Sequence, residues 1–480
     1  MEAHGRLGTW IRAEIALIVS GILALISAFI VPPSEDYLGY VDVPMLCILF
    51  CLMATVAGMS ECGLFRHVSA RMVSKASSAR ILCSVLVALP FIASMAITND
   101  VALITFVPLA VAALVGAGRK DLVIPTLVMQ TAAANLGSIL TPIGNPQNLF
   151  IFSRYGPGIG DFVLEMLPYA LVGGAVLFIA CAFVCKGPSK AVSTEVPTLE
   201  DRRLLGTMAL LFVLSVASVA GLVPFWLALA CTAAAMALLK PSLFGKVDYS
   251  LLLTFVFLFV FTGNVARMEE VASVLGGLMD SQPLLTPVFA SQFISNVPAA
   301  VMLSGFTGDW QSLLAGVNIG GFGTPIASMA SLITFRLYAK GEVHNSGRFM
   351  AVFLLCNAAM LALLVSVSFL LRRGRYLLRC TLSGLYLPSL GTGSLSGYPT
   401  AMRQKGLTSS GRHIASDTAS ILSGCGAMPI QTVPMPLDFA ARRMFWVAAA
   451  RSCCHIMAAF MKPTFPRTTM ALGALPTGDA

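Results

Sequence analysis

Charged side chains are scarce in this chain of 480 residues. Only 11% of the residues are Asp, Glu, Lys or Arg, whereas 57% are hydrophobic, and the mean hydropathy is +0.84. Soluble globular proteins carry about 25% charged residues. Apolar runs of roughly 17 to 25 residues, which are long enough to cross a bilayer, recur as far as residue 372. The composition therefore excludes an ordinary soluble protein and predicts an all-α polytopic membrane protein.

The sequence also lacks the motifs of common catalytic and metal sites. Its 12 cysteines are scattered and form no Cys-x-x-Cys pair, so we expect neither a disulfide framework nor a cysteine metal site. It contains no recognisable nucleophile–base pair and no phosphate-binding Walker loop. These absences argue against an enzyme and against an ATP-driven pump. We expect no cofactor apart from a coupling ion, Na⁺ or H⁺.

The excess of basic over acidic residues is confined almost entirely to the end of the chain. The net charge is +9, but residues 373–480 hold eleven Lys and Arg against three Asp and Glu, which leaves +1 for residues 1–372. The charge therefore predicts no nucleic-acid partner. Residues 373–480 are rich in Ser, Gly, Pro and Thr and lack a sustained helical period. We expect this tail to be disordered and foreign to the membrane domain.

The basic loops predict the topology. Lys and Arg gather in residues 66–80, 119–120, 186–203, 240–246 and 336–348. By the positive-inside rule these loops are cytoplasmic, and the amino terminus then lies on the same side. We expect an integral, multi-pass protein of the cell membrane (plasma or inner), surrounded by the lipid bilayer.

Polar, helix-breaking residues interrupt the apolar sequence in the first part of the chain. Thr98-Asn99-Asp100 separates two apolar arms, and residues 141–150 (TPIGNPQNLF) hold two prolines and several amides. Backbone groups freed by such breaks find no partner in lipid, so breaks are tolerated where they line a polar cavity. We predict that residues 81–117 form a re-entrant hairpin with a polar tip. Two ordinary spans would satisfy the loop charges equally well.

The second part of the chain repeats this arrangement. Residues 135–149 (NLGSILTPIGNPQNL) align without gaps on residues 318–332 (NIGGFGTPIASMASL), at an offset of 183. Another polar break, Ser295-Asn296-Val297, precedes the second copy. The loop charges place this second hairpin, about residues 284–308, on the opposite side of the membrane. We therefore predict two inverted repeats, residues 1–185 and 204–372, joined by a cytoplasmic linker, residues 186–203.

Two polar-tipped hairpins, each followed by a broken helix, resemble the ion-transporter superfamily. This group includes divalent anion–sodium symporters, citrate-transporter-like permeases, arsenite permeases and some sodium–proton antiporters. The resemblance covers roughly residues 40–370 and implies a re-entrant hairpin and a broken transmembrane helix in each repeat. It also implies that the tips and the unwound stretches bind the coupling ion and the substrate.

The resemblance assigns candidate binding residues to both repeats. In the first repeat they are Thr98, Asn99, Asp100, Asn135, Gly137, Ser138, Thr141, Pro142, Gly144 and Asn145, and in the second Ser295, Asn296, Asn318, Gly320, Gly323, Thr324 and Pro325. A sodium ion is implied at Thr98, Asn99, Asp100, Ser138 and Thr141. The third tip position is Asp100 in the first repeat and Val297 in the second. The divalent-anion symporters carry Thr at this position, so dicarboxylate specificity does not follow from the resemblance.

The chemistry of these residues agrees with ion transport. Broken helices expose N-terminal N–H groups that attract anions, and unwound carbonyls with Thr, Ser and Asn oxygens suit a hard cation. A carboxylate inside a membrane element is a functional hypothesis by default, so Asp100 is expected to bind the cation or to exchange a proton. The alternative is that Asp100 only caps a helix.

The sequence therefore predicts a secondary active transporter of a small inorganic or organic anion, resembling a di- or tricarboxylate or sulfate. Coupling to Na⁺ or H⁺ and alternating access complete the prediction. An arsenite or antimonite efflux permease and a Na⁺/H⁺ antiporter of the same superfamily stay open, as does an ion channel from a different class. A homodimer is an open alternative for the oligomeric state.

Overall fold

The computed structural model describes residues 14–76, 78–188, 197–341 and 345–386. These ranges contain eighteen α-helices, two 3₁₀-helices and no strand, which confirms the predicted all-α class. Residues 387–480, most of the predicted tail, lie outside the described residues. Of the predicted linker, only residues 186–188 and 197–203 are described.

The helices are numbered here in chain order. The first half contains α1 Ile15–Ile30, α2 Asp36–Tyr40, α3 Val43–Glu61, α4 Leu64–Val73, α5 Ala79–Ala93, α6 Asn99–Gly116, α7 Val123–Ser138, α8 Pro146–Tyr155 and α9 Ile159–Val184. The second half contains α10 Arg202–Val219, α11 Phe225–Leu239, α12 Tyr249–Ala266, α13 Glu269–Ser281, α14 Leu285–Ile294, α15 Asn296–Ser304, α16 Trp310–Gly320, α17 Met329–Ala339 and α18 Ser346–Tyr386. The 3₁₀-helices are Lys120–Leu122 and Pro241–Lys246.

Six of the helices in the described ranges are long and apolar enough to cross a membrane: α3, α6, α9, α10, α12 and α18. Four shorter helices, α1, α5, α11 and α14, are also apolar. Short apolar helices in addition to full spans are expected where hairpins and broken helices interrupt the membrane segments.

Helix α18 passes the predicted end of the second repeat. The compact unit that holds the other helices extends to Ser368, within α18, and a second unit begins at Phe369. The helix itself continues to Tyr386, beyond residue 372. The described part of the second unit is therefore helical as far as Tyr386.

Two pairs of helices meet at short polar connections. Helix α5 ends at Ala93 and α6 begins at Asn99, whereas α14 and α15 are separated only by Ser295. Ser295 has φ +71° and ψ 157°, a combination that only glycine adopts readily and that costs other residues roughly 1–3 kcal/mol. A single residue thus separates the two helices at the second connection, where five separate them at the first.

The helices after these connections contact the other half as well as their own. Helix α5 packs along α7, and α14 packs along α16. The second arm of each pair contacts the other half, because α6 packs on α17 and α15 packs on α8. This reciprocal packing places both connections and both interrupted stretches, residues 139–145 and 321–328, around the junction of the halves.

Candidate transport site

Two hydrogen bonds fasten the connection between α5 and α6, the first tip, to the stretch between α7 and α8, the first break, and a third joins the start of α6 to α7. The backbone N–H of Asn99 donates to the carbonyl of Gly144 at 3.3 Å, and the Thr141 hydroxyl donates to the carbonyl of Met95 at 2.6 Å. The Asn99 amide donates to Oδ1 of Asn135 at 3.0 Å. The structure thus brings together predicted site residues that lie 36 or more positions apart in the chain.

Two of these bonds recur at the second tip and the second break, which lie between α14 and α15 and between α16 and α17. The N–H of Asn296 donates to the carbonyl of Ala327 at 3.1 Å, and the Thr324 hydroxyl donates to the carbonyl of Gln292 at 2.9 Å. The tip residues lie 197 positions after their counterparts in the first half, and the break residues lie 183 positions after theirs. The offset of 183 found in the sequence therefore matches equivalent contacts.

Glycines permit the close approach of tip and break in both halves. A Cβ atom on Gly137 would overlap the Phe91 carbonyl and the Ser94 hydroxyl. A Cβ atom on Gly320 would lie 2.7 Å from the Cβ of Ser291, which is the counterpart of Ser94 at the same offset of 197. Both glycines are therefore required by close contact with residues at the end of the first helix of the preceding pair, or just after it.

Side-chain amides of Asn145 and Asn148 donate hydrogen bonds to acceptor groups at the first break. Asn145 donates to the Ser138 hydroxyl at 2.7 Å, and Asn148 donates to the carbonyls of Ser138 and Thr141 at 3.0 and 3.1 Å. The last carbonyls of a helix have no partner inside the helix, so amides of this kind replace the missing backbone donors. The first break is consequently a defined, buried structure.

The two halves meet through buried polar side chains. Asn318 on α16 donates to Oδ1 of Asn148 on α8 at 2.7 Å, and Gln147 donates to Oδ1 of Asn318 at 3.2 Å. On the neighbouring helices, the hydroxyl of Thr131 donates to that of Thr334 at 2.9 Å. Of these five residues, only Asn318 is among the predicted site residues. The amide composition of residues 145–148 was the available signal for Gln147 and Asn148.

Several buried polar atoms of the tips and breaks have no hydrogen-bond partner among the described residues. They are Oδ1 of Asp100, Oδ1 of Asn145, Nδ2 of Asn135 and the hydroxyl of Ser331. An unsatisfied buried polar group costs roughly 1–3 kcal/mol, and each such group in a folded protein calls for an explanation such as a ligand or an ion. The oxygens suit a cation, and the Asn135 N–H suits an anion or another acceptor.

The side-chain oxygens of the five residues predicted to hold sodium differ in the hydrogen bonds that they already make. The Ser138 hydroxyl donates to the carbonyl of Asn135 and accepts from Asn145, whereas the Thr141 hydroxyl donates to the carbonyl of Met95. With respect to the described residues, one lone pair stays available on the Ser138 oxygen and both on the Thr141 oxygen. Asn99 Oδ1 accepts from the N–H of Asp100. The Thr98 side chain makes no capping bond to α6. Within the described ranges no hydrogen bond supports a capping role for Asp100, and cation binding by these residues stays a prediction.

The other predicted residues shape the breaks. Pro142 and Gly144 are buried in the first break, and a Cβ atom on Gly144 would overlap the Ser138 carbonyl. Gly323 has φ +115°, in the region that favours glycine, and the neighbouring Pro325 is half-buried. These positions are brought to the junction of the halves, and their part in binding stays a prediction.

The structure also contains a cavity of about 430 Å³. Its walls come from α8, α12, α15 and the segment before α3, and they include Phe150, Arg154, Thr262 and Val301. None of the predicted binding residues lines this cavity. Helix α8 begins at the first break and α15 at the second tip, so the cavity shares two helices with the candidate site but is lined by their later residues.

Comparison with known proteins agrees with this architecture. The sequence profile of the citrate transporter family matches residues 7–308. An uncharacterized transporter of Methanocaldococcus jannaschii is 33% identical over 336 residues, which cover 69% of this chain and 90% of that protein. The inner membrane protein YbiR of Escherichia coli is 32% identical over 320 residues, covering 65% and 84%.

A plant relative matches a shorter region. The silicon efflux transporter LSI3 of Oryza sativa subsp. japonica is 28% identical over 189 residues, which cover 37% of this chain and 38% of that protein. The family profile covers more than half of the chain and includes the first tip, the first break and the second tip. This chain belongs to the citrate transporter family of membrane transporters.

Proposed function

We propose that this transporter moves a small anion, resembling a di- or tricarboxylate or sulfate, by secondary active transport coupled to Na⁺ or H⁺. We also propose that it works by alternating access of two inverted repeats, each with a re-entrant hairpin. The amino terminus then lies in the cytoplasm and the protein in the plasma or inner membrane, in line with the positions of the basic loops.

One observation carries this proposal. The tip-to-break hydrogen bonds Asn99–Gly144 and Asn296–Ala327, together with Thr141–Met95 and Thr324–Gln292, are repeated at fixed offsets in the two halves. Interrupted helices at matching places in two halves are the feature by which sequence and fold point to a transporter's binding site. The equivalent contacts support such a site at the junction of the halves.

The polar groups at this junction suit an anion and a cation together. Helices α6, α8, α15 and α17 all begin at tips or breaks, so their N-terminal N–H groups can attract an anion. The unpaired oxygens of Asp100 and Asn145 suit a cation in the first half. A cation bound there would compensate the buried carboxylate and add positive charge for the substrate.

An efflux permease for arsenite or a similar weakly ionised oxyacid is the second candidate. No Lys or Arg occurs in residues 94–100, 135–149, 291–297 or 318–332, so the tips and breaks offer no fixed positive side chain to a multiply charged anion. The relative from rice is named for silicon efflux. Both observations support this second candidate.

Flux in proteoliposomes distinguishes these functions. Radiolabelled citrate, succinate, sulfate and arsenite would each be tested with an imposed Na⁺ gradient, an imposed pH gradient, and neither. The proposal expects uphill accumulation of one anion that depends on one gradient. Accumulation of arsenite alone would select the second candidate. Downhill flux without any accumulation would establish a channel instead.

A further inference from the structure

The side chain of Gln292 fills the second break. Its amide nitrogen donates to the carbonyl oxygens of Gly320 at 2.7 Å, Phe322 at 2.9 Å and Val288 at 3.3 Å. Its carbonyl oxygen accepts from the backbone N–H of Thr324 at 3.0 Å. An amide nitrogen has only two hydrogens, so three carbonyls share them around a single centre.

Glycine at position 323 makes room for this side chain. The φ of Gly323 is +115°, and a Cβ atom there would overlap Oε1 of Gln292. Any other residue at this position would both strain the backbone and displace the amide. The second break is therefore shaped to hold the Gln292 side chain.

The first half has different residues at the equivalent positions. The offset of 197 relates Gln292 to Met95, whose thioether donates no hydrogen bond, and the offset of 183 relates Gly323 to Leu140. Among the described residues, two counterparts of the carbonyls that Gln292 holds are bonded locally: the Phe91 carbonyl accepts from the Ser94 hydroxyl, and the Gly137 carbonyl accepts from the N–H of Leu140. The amide within the first break, that of Asn148, donates instead to the carbonyls of Ser138 and Thr141. The two breaks thus share a backbone arrangement but not a side-chain partner.

We propose that the Gln292 amide closes the second break to a coupling cation, so that the transporter binds one coupling cation, in the first half, and not one in each half. Carbonyls of an unwound helix are the usual partners of such a cation in transporters of this architecture. In the second half these carbonyls already have a donor. A sodium ion could reach them only by displacing four hydrogen bonds. The inference rests on the proposed function, because the cation site of the first half is part of that proposal.

Direct binding of radioactive sodium to the purified protein tests this inference. The protein as it exists is expected to bind one ion per chain, and Gln292→Ala is expected to bind two. In sodium-free choline buffer, Gln292→Ala should melt at a lower temperature than the natural protein, and added sodium should restore most of the difference. Gln130→Met is the matched control, because Gln130 is a buried amide that donates to the Leu86 carbonyl outside the break. Its loss of stability should not respond to sodium.

The outcomes separate this inference from the proposed function. Two ions in the natural protein, or the same number in Gln292→Ala as in the natural protein, would overturn it. No ion in the natural protein but one in Gln292→Ala would support the role of Gln292 while removing sodium as the coupling ion of the first half. If Gln292→Ala does not fold, Gln292→Glu keeps the shape of the side chain and replaces the donor by an acceptor. Its melting temperature should then rise steeply with sodium, and an unchanged sodium response would contradict the inference.

Discussion

Asn318 on α16 donates its side-chain N–H to the Oδ1 atom of Asn148 on α8 at 2.7 Å, across the junction of the two halves. Both residues are buried, and Gln147 adds a second bond to the same Asn318 side chain. Alternating access requires the halves to move relative to each other, so contacts of this kind differ between transport states. Asn148 and Asn318 are therefore expected to stabilise the conformation described here.

A double-mutant cycle should measure the coupling free energy between Asn148 and Asn318. The variants Asn318→Ala, Asn148→Ala and their combination should show a coupling of about 0.6–1.7 kcal/mol in the free energy of unfolding, the range found for hydrogen bonds between membrane helices. Unfolding in mixed detergent, followed by circular dichroism, provides the values. Asn357 is a suitable control, because its amide donates to Phe353 of its own helix. Coupling between Asn357→Ala and Asn148→Ala should be zero.

Removing the threonine hydroxyls should loosen the two tips to a similar extent. Thr141→Val and Thr324→Val keep the side-chain shape but leave the carbonyl of Met95 or Gln292 unpaired, which costs roughly 1–3 kcal/mol each. We expect a lower melting temperature and reduced flux for both variants, and recovery in the corresponding Ser variants. Thr207→Val, which alters an exposed hydroxyl on α10, should change neither quantity. Full flux in both Val variants would show that the tethers are dispensable.

Alanine should not be tolerated at the close contacts of the breaks. Gly137→Ala places a methyl group against Phe91, and Gly320→Ala places one against Ser291. We therefore expect little folded protein in the membrane, as measured by fluorescence-detection size-exclusion chromatography of solubilised fusions. The matched control is Gly206→Ala on α10, where a Cβ atom meets nothing within 4 Å. Replacing that helical glycine should stabilise the protein by about 0.5–1 kcal/mol. Normal yields of the Gly137 and Gly320 variants would contradict the close approach.

Asp100→Asn should uncouple the driving ion from the substrate. Asn keeps the size of the side chain but removes the charge that a cation or a proton would compensate. Gradient-driven uptake should collapse at equal protein abundance, whereas exchange of substrate across the membrane survives. Both fluxes can be measured in the same proteoliposomes. Full coupled uptake with unchanged ion dependence would leave neutral oxygens alone as the coupling site.

Labelling should reveal whether the two hairpins are inverted. Cysteine at position 98 should react with a membrane-impermeant maleimide from the cytoplasmic side, and cysteine at position 295 from the outer side. Right-side-out and inverted vesicles provide the two exposures, and the natural protein gives the background labelling. Reaction of both positions from one side only would show that the hairpins are not related by inversion.

The class of the protein and the location of its breaks were accessible from sequence, because hydropathy and helix-breaking residues act locally. Long apolar runs predicted the membrane helices, and the aligned residues 135–149 and 318–332 predicted interrupted helices that the structure contains. Asn99 and Asn296 were predicted at the two tips, and each begins the second helix of its pair. Residue type and chain position were sufficient for these features.

Only the tertiary structure decided which polar groups meet. Asn148 and Asn318 are 170 positions apart, and their contact depends on how α8 and α16 are rotated and packed. Sequence periodicity gives little information on that rotation when a membrane helix is apolar on most of its faces. The partners of Gln292 likewise follow from the fold, because its four bonds reach the carbonyls of Val288, Gly320 and Phe322 and the N–H of Thr324 only when α14 lies against the second break. Local chemistry therefore determined where the chain is interrupted, whereas packing across the two halves determined which side chains complete each interruption.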